Sequence, residues 1–163
     1  TCPSRWASPH GDSHVDLPIW MATELMAFGS IVTLFLGSSN QTKKAVASTF
    51  GMPHEVFGSW LRTLNVIRNT CAHHGRLWNR TLGFKPLIPR QNAYPDWHAP
   101  VTIPNDKLFG ILTICTYCLR TVAPQSQWEE RLKELFREFP DVPLREMGFP
   151  ENWNESPLWT RHG

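Results

Sequence analysis

Arg68 and His73 close the run Arg68-Asn69-Thr70-Cys71-Ala72-His73, which joins a fixed cation to a group that can exchange a proton near neutral pH. Laid on a helix at about 100° per residue, Arg62, Asn65, Asn69, His73, Arg76 and Arg80 share one arc, with Arg68 at its border. No acidic residue falls on that arc between Val56 and Arg80. The arginines therefore lack an i, i+4 carboxylate on their own helix. Arginine offers a planar fork of donors to phosphate, and asparagine both donates and accepts, so the set suits a phosphodiester. A solvated basic face, or arginines paired with carboxylates of another helix, would give the same pattern.

The opposite arc carries Val56, Phe57, Trp60, Leu64, Ile67, Cys71 and Trp78, the stripe that would hold this helix in a core. The spacing predicts one long helix from Pro53 to about Arg80, or two broken near Gly75. Upstream, the apolar run Ile19 to Leu36 approaches the length of a membrane span. Glu24 would cost about 3 kcal/mol in hydrocarbon, and Gly29, Ser30 and Thr33 weaken the run, so it reads as a buried helix starting near Pro18. Asn40 to Phe50 reads as a short helix, with Asn40 as N-cap and Gly51 as its stop. Residues 81–104 hold Gly83, Pro86, Pro89, Pro95, Pro100 and Pro104, too few amide donors for a helix or a central strand. They form a long irregular crossover. Asn105 or Asp106 caps a helix through Val122, which Pro124 ends. Trp128, Leu132, Leu135, Phe136 and Phe139 make an amphipathic stripe, with Glu129 four residues before Lys133 on the solvated face. Residues 140–163, with four prolines and two tryptophans, read as a strap over the helices. Five helical segments without an alternating strand predict an all-α helical bundle.

With 163 residues and a formal charge of +2, the chain suits one domain and has no whole-chain field for nucleic acid or membrane. Any basic site is local. Four cysteines, unevenly spaced, are too few for a disulfide scaffold, and no signal peptide opens the chain, so a cytoplasmic protein is expected. Residues 1–17 read as an amino-terminal arm or the remnant of a longer amino-terminal part, and 18–163 as the helical domain. Cys115 and Cys118 have C-x-x-C spacing inside an apolar helix and read as core thiols, as does Cys71. His74 falls at the edge of the core stripe and reads as a hydrogen-bonded supporting residue. Glu24 is expected to contact Arg68 or His73. His10, His14, His54, His98 and His162 read as ordinary surface residues. Most of the eight tryptophans read as core and strap packing.

The string Val66-Ile67-Arg68-Asn69-Thr70-Cys71-Ala72-His73-His74-Gly75-Arg76-Leu77-Trp78-Asn79-Arg80 resembles the core of the Abi-like (abortive infection, phage resistance) family. Within it, Arg68 to His73 resembles the R-x4-6-H signature of HEPN-domain ribonucleases. Supporting matches are Pro18-Ile19-Trp20 with Glu24, Phe28-Gly29, Ser59-Trp60-Leu61, Met147-Gly148-Phe149-Pro150, Trp153 and Pro157-Leu158-Trp159, so the resemblance runs from about residue 15 to 160. It implies a HEPN-like bundle and a metal-independent endoribonuclease toxin of phage defence, with no cofactor and no membrane. Arg68, Asn69 and His73 would then be catalytic, with Arg62, Asn65, Arg76 and Arg80 binding RNA and Glu24 and His74 in support. The resemblance further implies a homodimer with composite sites and an RNA or protein antitoxin. A non-catalytic RNA-binding module and a plain helical interaction domain are the competing readings, and His73 separates the first two, because only cleavage needs proton transfer.

Overall fold

The computed structural model describes residues 19–160. The arm expected over 1–17, the helix start near Pro18, and Cys2, His10, His14 and His162 lie outside the described residues. Within them the chain is all-helical, with six α-helices and no strand. The helices are α1 (Ile19–Leu25), α2 (Phe28–Gly37), α3 (Asn40–Thr49), α4 (His54–Ala72), α5 (Leu108–Val122) and α6 (Trp128–Glu138), with short 3-10 turns at Pro95–Trp97, Leu144–Met147 and Trp153–Glu155.

The apolar run from Ile19 to Leu36 is two helices rather than one buried helix. Ala27 is extended (φ −62°, ψ 146°) and opens α2, while Met26 N–H closes back on Thr23 O at 3.3 Å. α1 buries no residue, and Ile19, Trp20 and Leu25 are 59%, 64% and 80% exposed. Only α2 enters the core, through Val32 and Phe35. No described helix is long and apolar enough to cross a membrane. Small residues set how α2 meets α4. A Cβ on Gly29 would sit 3.3 Å from Asn65 Oδ1, and one on Gly58 would sit 3.4 Å from Leu36 Cδ2. The start of α2 thus lies against the C-terminal half of α4 and its end against the N-terminal half, an antiparallel pair.

Ser39, not Asn40, caps α3: its Oγ accepts from Thr42 N at 3.1 Å, the usual role of a hydroxyl at that position. Gly51 follows at φ +62°, a left-handed turn that glycine adopts without strain. Tyr117 donates to Phe50 O at 2.9 Å and Tyr94 to Gly51 O at 3.0 Å, which ties α5 and the crossover to this turn.

The proline-rich crossover is part of the core. Trp97, Val101 and Ile103 are buried in it, with Pro86 and Pro89. Proline suits a buried irregular segment because it brings no N–H that must find a partner. Leu87 ties the segment to α4 at both of its backbone groups: its N–H reaches Ser59 Oγ at 2.9 Å, and its carbonyl accepts from Trp60 Nε1 at 2.8 Å. His98, expected at the surface, is half-buried, its Nε2 2.7 Å from Pro89 O. His54 is also half-buried, against Glu55.

α5 starts at Leu108, later than the caps expected at Asn105 or Asp106, because Asn105 is used elsewhere, donating to Pro86 O at 3.1 Å. A Cβ at Gly110 would collide with the Pro104 carbonyl, so the close entry of the crossover requires glycine there. Burial pushes the Cys115 thiol up to about 11 and the Cys118 thiol up to about 12, the latter helped by Cys115. Both remain protonated thiols at neutral pH, as core cysteines do.

In α6, Trp128, Leu132 and Phe136 pack on the core, while Leu135 and Phe139 are left half-exposed at the edge of the stripe. Glu129, expected on the solvated face, is 4% exposed. Arg120 of α5 (3.3 Å) and Lys133 (2.8 Å) hold its carboxylate, the condition under which a charge is tolerated inside. The same two cations donate to carbonyls of the C-terminal strap: Arg120 to Pro157 O at 3.4 Å and Lys133 to Trp159 O at 3.3 Å. Trp159 completes the strap, donating to Thr113 Oγ1 at 3.0 Å and stacking on Phe109.

Candidate nucleic-acid interface

The candidate residues hang on the end of α4, and the way that helix stops decides where they point. Gly75 N donates to Thr70 O at 2.7 Å and His74 N to Cys71 O at 3.0 Å, the paired reversed bonds of a Schellman motif. His73 is the C-cap (φ −97°, ψ 21°), and His74 takes the left-handed position (φ +55°) that glycine usually fills. Gly75 is required one residue later and for a different reason, since a Cβ there would meet Thr70 Cγ2 at 2.7 Å.

The long helix to Arg80 is therefore corrected: it ends at Ala72. Arg76 and Arg80 leave the common arc, because beyond His73 the chain no longer turns at 100° per residue. Arg76 instead places its guanidinium 5.8 Å from the centre of the Trp78 ring, and Arg80 N closes on Leu77 O. Cys71 is exposed rather than in the core, and His74 is exposed as well, in place of the expected core edge. Trp60 is fully buried, while Leu64 and Ile67 are half-buried.

The strained His74 yields a prediction. A left-handed conformation costs a residue with a Cβ roughly 1–2 kcal/mol, partly offset by the greater unfolded-chain entropy of glycine. His74→Gly should stabilise the protein by about 0.5–1 kcal/mol, while Gly75→Ala should destabilise it. Thermal unfolding of the two variants should move in opposite directions, and a parallel shift would reject this account of the helix end.

Asn65, Arg68 and Asn69 line an open groove of about 430 Å³ with Ala27, Gly29, Ser30 and Thr33 of α2. Arg68 Nη1 donates to Asn69 Oδ1 at 3.0 Å, so Asn69 orients the guanidinium rather than the imidazole. Asn65 Oδ1 is enclosed against Gly29 and, among the described residues, has no hydrogen-bond partner. Ala27 supplies no side-chain cap to α2, and the positive end of that helix's dipole lies beside Arg68. His73 is exposed, held through its backbone N–H to Asn69 O at 3.1 Å.

Glu24 is exposed on α1 and, among the described residues, forms no ion pair with Arg68 or His73. Nor do Arg62, Arg68, Arg76 or Arg80 pair with a carboxylate of any described helix. That removes cross-helix neutralisation as the reason for the basic arc. Arg62 lines a neighbouring groove with residues the sequence pattern did not single out: Lys43 of α3, His54 at the start of α4, and Phe84 and Lys85 of the crossover. They come from separate elements, and only the basic character of Lys43-Lys44 and the lone aromatic beside Lys85 hinted at them.

No curated protein and no solved structure matches the chain. A family model described as Abi-like protein matches residues 5–79, a segment that includes α1 to α4, the groove between α2 and α4, and the Arg68 to His73 run. It stops at Asn79, short of the crossover and the strap, so the wider resemblance drawn from the C-terminal motifs lies beyond the matched segment. Over residues 5–79, a little under half of its length, the chain is similar to the Abi-like family.

Proposed function

We propose that this chain is the helical effector domain, residues 18–163, of a phage-resistance protein, and that it cleaves RNA without a metal ion. The observation that carries the reading is the Arg68–Asn69 hydrogen bond at an open groove that no described carboxylate neutralises, one helical turn before His73. Cleavage by a 2′-hydroxyl needs a base, an acid and positive charge on the non-bridging phosphate oxygens. Arg68, set in place by Asn69, holds the phosphate, and His73 moves the proton. A single histidine does not readily serve as both base and acid in one passage, so a second copy of the chain supplies the other. Exposed Ile19, Trp20 and Leu25, just before the groove residue Ala27, are apolar surface suited to such pairing.

One observation favours the second reading, an RNA-binding module that does not cut. Among the described residues no side-chain hydrogen bond orients the His73 imidazole.

Incubation of the purified chain with total RNA in EDTA separates the two. The expected result is fragments ending in 2′,3′-cyclic phosphate and 5′-hydroxyl. Intact RNA that co-migrates with the protein selects the binding module, and cleavage that EDTA abolishes rejects the metal-free mechanism.

A further inference from the structure

We propose that the groove of Lys43, Arg62, Phe84 and Lys85 is a second docking site for the same single strand of RNA, with phosphate on Lys43 and Arg62 and a base stacked on Phe84. The inference rests on the reading that the substrate is RNA and adds where the strand runs beyond Arg68.

The groove encloses about 460 Å³ between the end of α2, α3, the first turns of α4 and the crossover. Its charge is one-sided. Among the described residues neither Lys43 nor Arg62 forms an ion pair, and Lys85 meets Asp106 only across 3.6 Å at the exposed surface. An exposed pair of that kind neutralises little. Among the described residues Glu55 is the one carboxylate lining the groove, and it lies 3.0 Å from His54 Nδ1.

Phe84 is the second observation. Its neighbours in the crossover, Leu82 and Pro86, are buried, yet Phe84 is 43% exposed. The segment carrying it is pinned on both sides: Leu82 N donates to Asp106 O at 2.8 Å, and Leu87 is bonded through both N and O to Ser59 and Trp60. An exposed ring on an anchored backbone is a stacking platform whose ordering is already complete. Cations alternating with an open aromatic face suit an unstacked single strand, since a duplex keeps its bases stacked inside.

The two grooves adjoin along α4. Arg62 and Asn65 are one turn apart, and Arg62 to Asn69 is about 10 Å of helix. An acidic peptide would satisfy the cations but leave the ring without a role.

The test is binding of a short labelled single-stranded RNA to the full chain across a salt series, with melting temperatures as the fold control. The double variant Lys43→Gln/Arg62→Gln should lower the slope of log affinity against log salt by about 1.4, about 0.7 per phosphate contact on a single strand. Phe84→Ala should weaken binding by about 5-fold or more at an unchanged slope, and Phe84→Trp should restore it. Wild-type affinity and slope in the glutamine and Phe84→Ala variants, with wild-type RNA binding intact, overturn the second site and leave the functional reading standing. A wild-type chain that binds no RNA overturns the functional reading itself. Displacement of RNA by polyglutamate, with Phe84→Ala indistinguishable from wild type, assigns the groove to acidic peptide and overturns the proposal.

Discussion

His73→Ala should reduce RNA cleavage by roughly 100-fold or more, the usual scale for removing a general acid or base. RNA affinity should change little, because on the proposed reading Arg68 and the neighbouring cations, not His73, hold the phosphate. The variant should fold: His73 is exposed at the C-cap, and its structural contribution is a backbone N–H that alanine also supplies. Arg68→Ala should weaken both binding and cleavage, since it removes the proposed phosphate contact along with the donor to Asn69 Oδ1. The two variants therefore part company on affinity. Full cleavage by His73→Ala would end the catalytic assignment and leave the binding module. An equal loss of affinity in both variants would make His73 a phosphate ligand instead of a proton-transfer group.

Trp60→Ala should cost about 3–5 kcal/mol of stability, the range for truncating a large buried aromatic. Trp60 is fully buried at the meeting point of α4, α5 and the crossover, its ring 5.0 Å from that of Trp97 and 5.7 Å from that of Tyr117. Its Nε1 also satisfies Leu87 O. Alanine leaves both a cavity and an acceptor without its donor, and those costs add. Trp60→Phe should lose less, because it refills most of the cavity and forfeits mainly a part-buried hydrogen bond to an exposed residue, about 0.5–1.5 kcal/mol. Denaturant unfolding of the two variants gives the comparison. A loss below about 1 kcal/mol for alanine would mean that the crossover is not packed on α4 in solution.

Local chemistry was legible without the fold. Pro53, Gly51 and Pro124 marked helix ends because each changes its own backbone's options, and those ends stand close to where they were expected. The stripe of α6 and the strap of Trp153 and Trp159 were likewise readable, since one-sided apolar spacing leaves a helix few ways to lie. The Arg68, Asn69 and His73 run was visible in the sequence and stands exposed on α4 and its cap.

What only the structure decided was in one case a local helix end and otherwise a matter of partners distant in the chain. Helical periodicity continues on paper through Arg80, but the reversed bonds at Thr70 and Cys71 stop the helix at Ala72 and send Arg76 and Arg80 away from the arc. Glu129 looked solvated because its i, i+4 partner is an ordinary surface pairing. Its burial depends on Arg120 and the strap carbonyls, which reach it only through space. Lys43, Arg62 and Phe84 share no spacing at all; packing alone brings them to one groove. Residue types and spacing determine which chemistry a chain can offer and which faces seek a core. Which charges remain unpaired, and which of them meet, depends on the distances that packing sets.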